Sequence, residues 1–154
     1  MAIEFIVEDG TGKENATSYV TVAEYVQYWE NRGTDYSTVV ATTVQGYLNS
    51  ATEWIDMSYK FIGAKADDNQ VLEWPRYDVD DIDSDEIPTD LKSAVCYMAA
   101  QVKTGINQID SGVTSESYGK ISKTYSTNGI KTYPVADKLL RGYVASGNPV
   151  LRVN

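Results

Sequence analysis

Between Pro88 and Lys103, apolar residues recur at helical spacing. Leu91, Ala94, Val95, Met98, Ala99 and Val102 share one face. Pro88 fits the first turn, where its missing N–H would be unsatisfied anyway, and Asp90 sits at the positive end of the helix dipole. Gly105 stops the pattern just beyond Lys103. Ala94 and Ala99 keep this face slim, so another helix can approach closely. A helix of this kind needs helical partners to cover it.

Two upstream segments supply them. Thr21 is placed as an N-cap, Glu24 three residues later completes a capping box, and Val20 is a staple residue. Val22, Tyr25, Val26 and Trp29 then fall on one helical face, and Gly33 closes the element. A longer helix is predicted to start near Ser37 or Thr38. Its inner stripe is Val40, Val44, Tyr47, Leu48, Ala51, Ile55, Ser58, Tyr59 and Ile62, with Gly63 as the stop. Gly46 inside it costs about 1 kcal/mol relative to Ala. The β-branched run from Thr38 to Val44 also weakens the first two turns.

Outside these helices the signals change. Residues 3–7 read as a short strand ending at an Asp9-Gly10 turn. From 64 to 87 regular periodicity is lost, and Pro75 forces an extended backbone at Trp74. Within that segment stand Asp78, Asp80, Asp81, Asp83, Asp85 and Glu86, six carboxylates in nine residues. A loop of this length in a compact domain points to disorder or a functional surface. Residues 113–133 are rich in Ser, Thr, Tyr and Gly. Ile121–Tyr125 and Ile130–Tyr133 flank an Asn128-Gly129 turn, a strong hairpin signal. A short helix over 135–144 follows, with Leu139, Leu140 and Tyr143. Gly147-Asn148-Pro149 ends it and leaves an extended tail, 150–154. The reading is mainly α: a small bundle of three to four helices with a β-hairpin and an extended C-terminal arm. At 154 residues it is one domain, with a helical core over 1–112 and an appendage over 113–154.

Composition narrows the chemistry. The chain has no His and one Cys, which excludes a Ser-His-Asp triad, a Cys-His dyad, a His-based zinc site and an intrachain disulfide. No cofactor or metal site is expected, and the enzyme class is the weaker one. Gly10-Thr11-Gly12-Lys13 resembles part of a phosphate-binding loop, but Val7 and Glu14 stand where Gly and Ser or Thr are required. An EF-hand starting at Asp78 fails at Asp83 and Thr89. Cys96 falls on the inner face of its helix and reads as a small buried hydrophobe. The formal charge of −9 opposes general binding to a phosphate backbone. Lys120, Lys123 and Lys131 near Tyr125 and Tyr133 form the one basic and aromatic interleaving. No apolar stretch approaches the roughly 20 residues that span a bilayer. The N-terminus lacks a signal peptide's basic flank, so a reducing cytoplasm, or a particle assembled there, is expected. Tyrosine is over-represented, 12 against 2 Phe, and suits interfaces.

Several blocks in order resemble a known family. They are Asn15-Ala16-Thr17-Ser18-Tyr19, with the residues to Tyr25; Leu72-Glu73-Trp74-Pro75-Arg76; Ile87-Pro88-Thr89-Asp90-Leu91-Lys92-Ser93-Ala94-Val95-Cys96; and the stretch from Ser115 to Tyr125. Together, over roughly residues 8–125, they are similar to the head–tail connector (adaptor) proteins of tailed bacteriophages. Many members of that family carry the label of DnaT-like single-stranded-DNA-binding proteins. The resemblance implies a virion protein assembled in the host cytoplasm. It implies a homo-oligomeric, commonly dodecameric ring under the portal protein that docks the tail, a tail-terminator or a nozzle protein. Genomic double-stranded DNA would pass through without specific binding. In such a ring the acidic loop, Asp78 to Glu86, is the candidate lining of the lumen or rim. Tyr125, Tyr133, Tyr143, Val150, Leu151 and Val153 are the candidate partner-docking arm. The alternative reading is a single-stranded-DNA-binding protein of phage or prophage origin.

Overall fold

The computed structural model describes residues 3–103, 115–118, 121–124 and 133–145. In chain order the elements are α1 (Val22–Glu30), α2 (Ala41–Ser58), β1 (Ala64–Lys65), β2 (Arg76–Tyr77), α3 (Thr89–Lys103), β3 (Ser115–Tyr118), β4 (Ile121–Thr124) and α4 (Pro134–Leu140). A 3₁₀ turn, Arg141–Tyr143, extends α4. The chain is mainly α with small antiparallel ladders, as its sequence implies.

The central layer is α2 against α3, with α4 packed on α3 and α1 touching both α2 and α3. Val44, Leu48, Ala51 and Ile55 of α2 and Leu91, Ala94, Val95, Met98 and Ala99 of α3 are all fully buried. Ala136 and Leu140 bring α4 into the same core. At α1 the capping box forms: the Thr21 hydroxyl accepts from the Glu24 N–H at 3.0 Å, and Glu24 accepts from the Thr21 N–H at 2.9 Å. Two long-range bonds hold α1 on α3. Trp29 Nε1 donates to the Cys96 carbonyl at 3.2 Å, and Lys92 Nζ to Glu24 at 2.9 Å.

Three expectations are corrected. The strand over 3–7 reduces to one parallel bridge, Val7 with Ser18, because no neighbouring strand among the described residues lies alongside to extend it. The long helix begins at Ala41, not Ser37 or Thr38. Asp35 takes the Ser37 N–H at 2.8 Å and Val39 N–H bonds Tyr36 O at 3.1 Å, so local turns win over the helix there. The same helix ends at Ser58 rather than Gly63, since Tyr59 is extended at φ −124° and ψ 141°. Tyr59 still buries its ring, by a different route, and its hydroxyl donates to Asp137 at 2.6 Å. β4 pairs with β3 in the register Ser115 with Thr124 to Tyr118 with Ile121, a ladder the sequence reading did not name, while the hairpin expected between 121–125 and 130–133 falls largely outside the described residues. The Asn128-Gly129 segment lies outside the described residues.

The stretch 64–87 is irregular, as expected, but anchored. Ala64 and Lys65 pair with Tyr77 and Arg76, and Val79 bridges Ile82. Trp74, which precedes a cis Pro75, is completely buried.

Candidate functional site

Three separated motifs meet at one carboxylate. Asp56 lies on α2, one residue past Ile55 of the inner stripe. Tyr19 Oη donates to it, 2.8 and 3.0 Å from its two carboxylate oxygens. The Glu73 N–H reaches its Oδ2 at 3.1 Å, and the Trp74 N–H donates to Tyr19 Oη at 3.1 Å. Burial pushes the Asp56 carboxyl up to about 7, against the hydrogen bonds, which favour its anion. Burial and the neighbouring Asp56 also raise the Tyr19 hydroxyl well above the usual range. Beside them Arg76, buried, donates to Ile62 O at 2.7 Å, Gly63 O at 3.0 Å, and Glu73 O and Oε1 at 3.0 Å each. The Tyr19 block and the Trp-Pro-Arg block thus form one hydrogen-bonded lattice, which fixes the loops over α2.

The Gly10-x-Gly12-Lys13 turn is a backbone nest, and it holds an anion of its own. Glu8, 1% exposed, takes the N–H groups of Gly10 and Gly12 at 2.9 Å and of Lys13 at 2.7 Å. A phosphate would have to displace that carboxylate. Gly10, at φ +105°, abuts the Asp85 carbonyl so closely that a Cβ there would collide with it.

This contact brings the turn against part of the acidic run. Glu8, Asp9, Glu24, Asp83, Asp85 and Glu86 surround a cleft of about 620 Å³, with Lys92 the cation at its wall. All six residues of the run are exposed. Asp83, Asp85 and Glu86 line the cleft, while Asp78, Asp80 and Asp81 do not. Asp78 and Asp81 instead adopt left-handed backbone, φ 63° and 65°, at the corners around the Val79–Ile82 bridge. Among the described residues no group of three or more carboxylates and thiols is arranged to hold a metal ion.

Of the proposed arm, Tyr133 packs edge-on to Trp54 at 5.4 Å, and Tyr143 edge-on to Trp74 at 5.8 Å. The Tyr143 hydroxyl also donates to Asp90 at 3.2 Å. Tyr125, Val150, Leu151 and Val153 lie outside the described residues, as do Lys120 and Lys131, while Lys123 falls on β4 opposite Glu116. Burial raises the Cys96 thiol to about 12, consistent with an inert packing role. Sequence reasoning missed Glu8 and Asp56. The signal for Glu8 was an acid just before a Gly-x-Gly turn; for Asp56 it was a carboxylate bordering the apolar stripe.

The cations of this surface are largely engaged. Lys13 contacts Asp9 at 3.7 Å, Lys65 contacts Glu73 at 3.9 Å, Lys92 contacts Glu24, and Arg76 is buried on Glu73. Arg32 lies over the Tyr28 ring at 3.6 Å and Lys103 over Tyr36 at 5.9 Å. Residues 3–103 and 133–145 hold 20 carboxylates against nine cations.

Fold and surface define a small, mainly helical protein with an acidic exterior and rigidly tied loops. Among its described residues no helix is long and apolar enough to cross a membrane. The chain belongs to the family described as "Putative DnaT-like ssDNA binding protein", which it matches over residues 3–154. No curated protein and no solved structure matches it.

Proposed function

We propose that this chain is a structural adaptor at the head–tail junction of a tailed phage, a ring subunit beneath the portal through which DNA passes. The observation that carries the reading is the partition of charge. Residues 3–103 and 133–145 have 20 carboxylates and nine cations, and six of those cations already sit on carboxylates or aromatic rings. Such a surface repels a phosphate backbone, which suits a channel wall along which DNA slides. The acidic run, exposed throughout, is the stretch assigned to that wall. The resemblance of the motif blocks to connector proteins supports the same reading, and two of those blocks, at Tyr19 and at Trp74-Pro75-Arg76, are joined in the loop lattice. In this reading the chain performs no catalysis, and its partners are further copies, the portal and a tail protein.

The second reading, single-stranded-DNA binding, is favoured by the family's description. Cations outnumber acids in residues 104–132 and 146–154, where Lys120, Lys123, Lys131 and Arg152 stand against Asp110 and Glu116. Titration of a labelled oligonucleotide with the purified chain separates the two. The adaptor reading expects no retained binding at about 0.15 M salt. A binder would show affinity falling steeply with salt, because each phosphate contact releases a counterion. Electron microscopy of the chain with its portal is the positive test: rings on the portal support the adaptor, and their absence overturns it.

A further inference from the structure

Three cations of residues 3–103 and 133–145 are left over once the ion pairs and ring contacts are made. Lys60, Lys138 and Arg141 are exposed and have neither a carboxylate nor a ring as partner among the described residues. The backbone gathers them. The Arg141 N–H bonds Lys138 O one turn back, and Lys60 O accepts the Ala145 N–H at 2.8 Å, just past the same turn. Val135 shares the outward half of α4 with Lys138 and Arg141, opposite the buried Ala136 and Leu140, and is 44% exposed. The nearby carboxylate, Asp137, is taken by the Tyr59 hydroxyl at 2.6 Å. This face is therefore apolar and cationic on a chain of net charge −9, and it complements a surface that is apolar and acidic.

The chain carries such a surface elsewhere. A groove of about 430 Å³ runs along the side of α2 turned away from the core, with Glu53, Asp56, Met57 and Val71 on its walls and no cation among its described lining. Met57 is 72% exposed and Val71 52%, two large apolar side chains left in water. Groove and cationic face belong to different elements, since the groove lies on α2 while α4 packs on α3. Copies that each carry −9 repel one another, so a contact between them must set unlike patches together. Joining these two patches is a head-to-tail contact, which leaves each copy's other patch open for the next and closes into a ring when the rotation allows. We propose that the α4 face of one copy docks in the α2 groove of the next, Val135 against Met57 and Val71, with Lys138 and Arg141 facing Glu53 and Asp56. The proposal rests on the ring reading above and names the two faces through which neighbouring subunits meet.

Disulfide trapping on the full chain tests this. Met57 and Val135 are exposed, so Met57→Cys and Val135→Cys leave the core untouched, and the native Cys96 is buried. Under a mild oxidant, a mixture of the two single variants should give dimers linked between positions 57 and 135. A chain carrying both substitutions should give a ladder of multimers. Adding Glu53→Lys to the Met57→Cys chain should remove the link, and Lys138→Glu on its Val135→Cys partner should restore it, a rescue that a misfolded chain could not show. No link between 57 and 135 would overturn the proposal. So would Met57→Cys chains pairing with each other as readily as the mixture does, which would give the groove to a symmetric contact. A link undiminished by Glu53→Lys would overturn it as well. Rings on the portal without the link would sink this interface and leave the adaptor reading, whereas the link without rings would keep the interface and remove that reading.

Discussion

Tyr19, Asp56 and Trp74 come from three distant segments, and their bonds close only when all three are in place. The cost of that lattice is a carboxyl held in a poorly solvated position. Burial raises Asp56 from 3.8 to about 7, so between those values the folded chain keeps a proton that the unfolded chain has released. Stability conferred by this group is full below about pH 4 and is lost as pH rises toward 7, by at most about 1.4 kcal/mol per unit. Glu24, lowered by its bonds to Thr21 and Lys92 against its own desolvation, acts in the opposite sense and below that window. Denaturant unfolding at several pH values should therefore show stability declining from pH 4.5 to 7 (approximate bounds of the window), and Asp56→Asn should flatten the decline. An unchanged slope in the variant would show that Asp56 is not the group responsible. Arg76 makes a second demand at this scale. Its planar fork reaches Ile62, Gly63 and Glu73 at once, which a single ammonium cannot do. Arg76→Lys is expected to cost about 2–4 kcal/mol, read as a lower urea midpoint at constant m.

Elements that carry their own local signals were legible in the sequence. The start of α1 is written in Thr21 and Glu24, whose two bonds are local and need no tertiary help; Thr21→Ala should cost about 1 kcal/mol in thermal unfolding. The span of α3 was readable because its apolar face is unbroken. Where periodicity ran past the element, tertiary contacts had decided the boundary. Tyr59 and Ile62 continue the α2 stripe in sequence, yet the backbone leaves the helix to pair Phe61 with Val144, a distant partner that no local pattern names. The β3–β4 ladder, in which Tyr118 pairs with Ile121, was missed because its connection carries a weaker turn signal than Asn128-Gly129. At the site, the acidic run was legible as charge. That Glu8 would fill the glycine nest, and that Asp56 would gather two motifs, depended on the packed arrangement. Glycines give the sharpest element-scale test. Gly46 is helical, and a Cβ there meets only Ile3 Cδ1 at 3.8 Å, so Gly46→Ala should stabilise by about 0.5–1 kcal/mol. Gly63 sits at φ +74° against the Tyr77 carbonyl, and Gly63→Ala should destabilise. Melting temperatures that move in the same direction would contradict this account of the two sites.

At the scale of the whole molecule, charge is segregated. Residues 3–103 and 133–145 carry the excess of carboxylates, while residues 104–132 and 146–154 carry four of the 13 cations and only two of the 22 acids. The body's own field should therefore keep DNA at a distance, and the acidic run is the part that can be altered without touching the core. All six of its side chains are exposed. Within it, the Asp83 N–H donates to Glu86 Oε1 at 3.1 Å, a bond that Gln retains. Asparagine also tolerates the left-handed backbone at 78 and 81. Replacing the five aspartates by Asn and Glu86 by Gln removes six charges from a net of −9. The fold should persist, with a melting temperature within about 4 °C of the parent, since surface changes of this kind stay near 0.5 kcal/mol each and lost repulsion offsets part of them. What should change is adhesion: fluorescence anisotropy at low ionic strength should detect double-stranded DNA on the variant and not on the parent, and added salt should release it. If the neutralised chain remains as indifferent to DNA as the parent, repulsion by this loop is not what opposes adhesion.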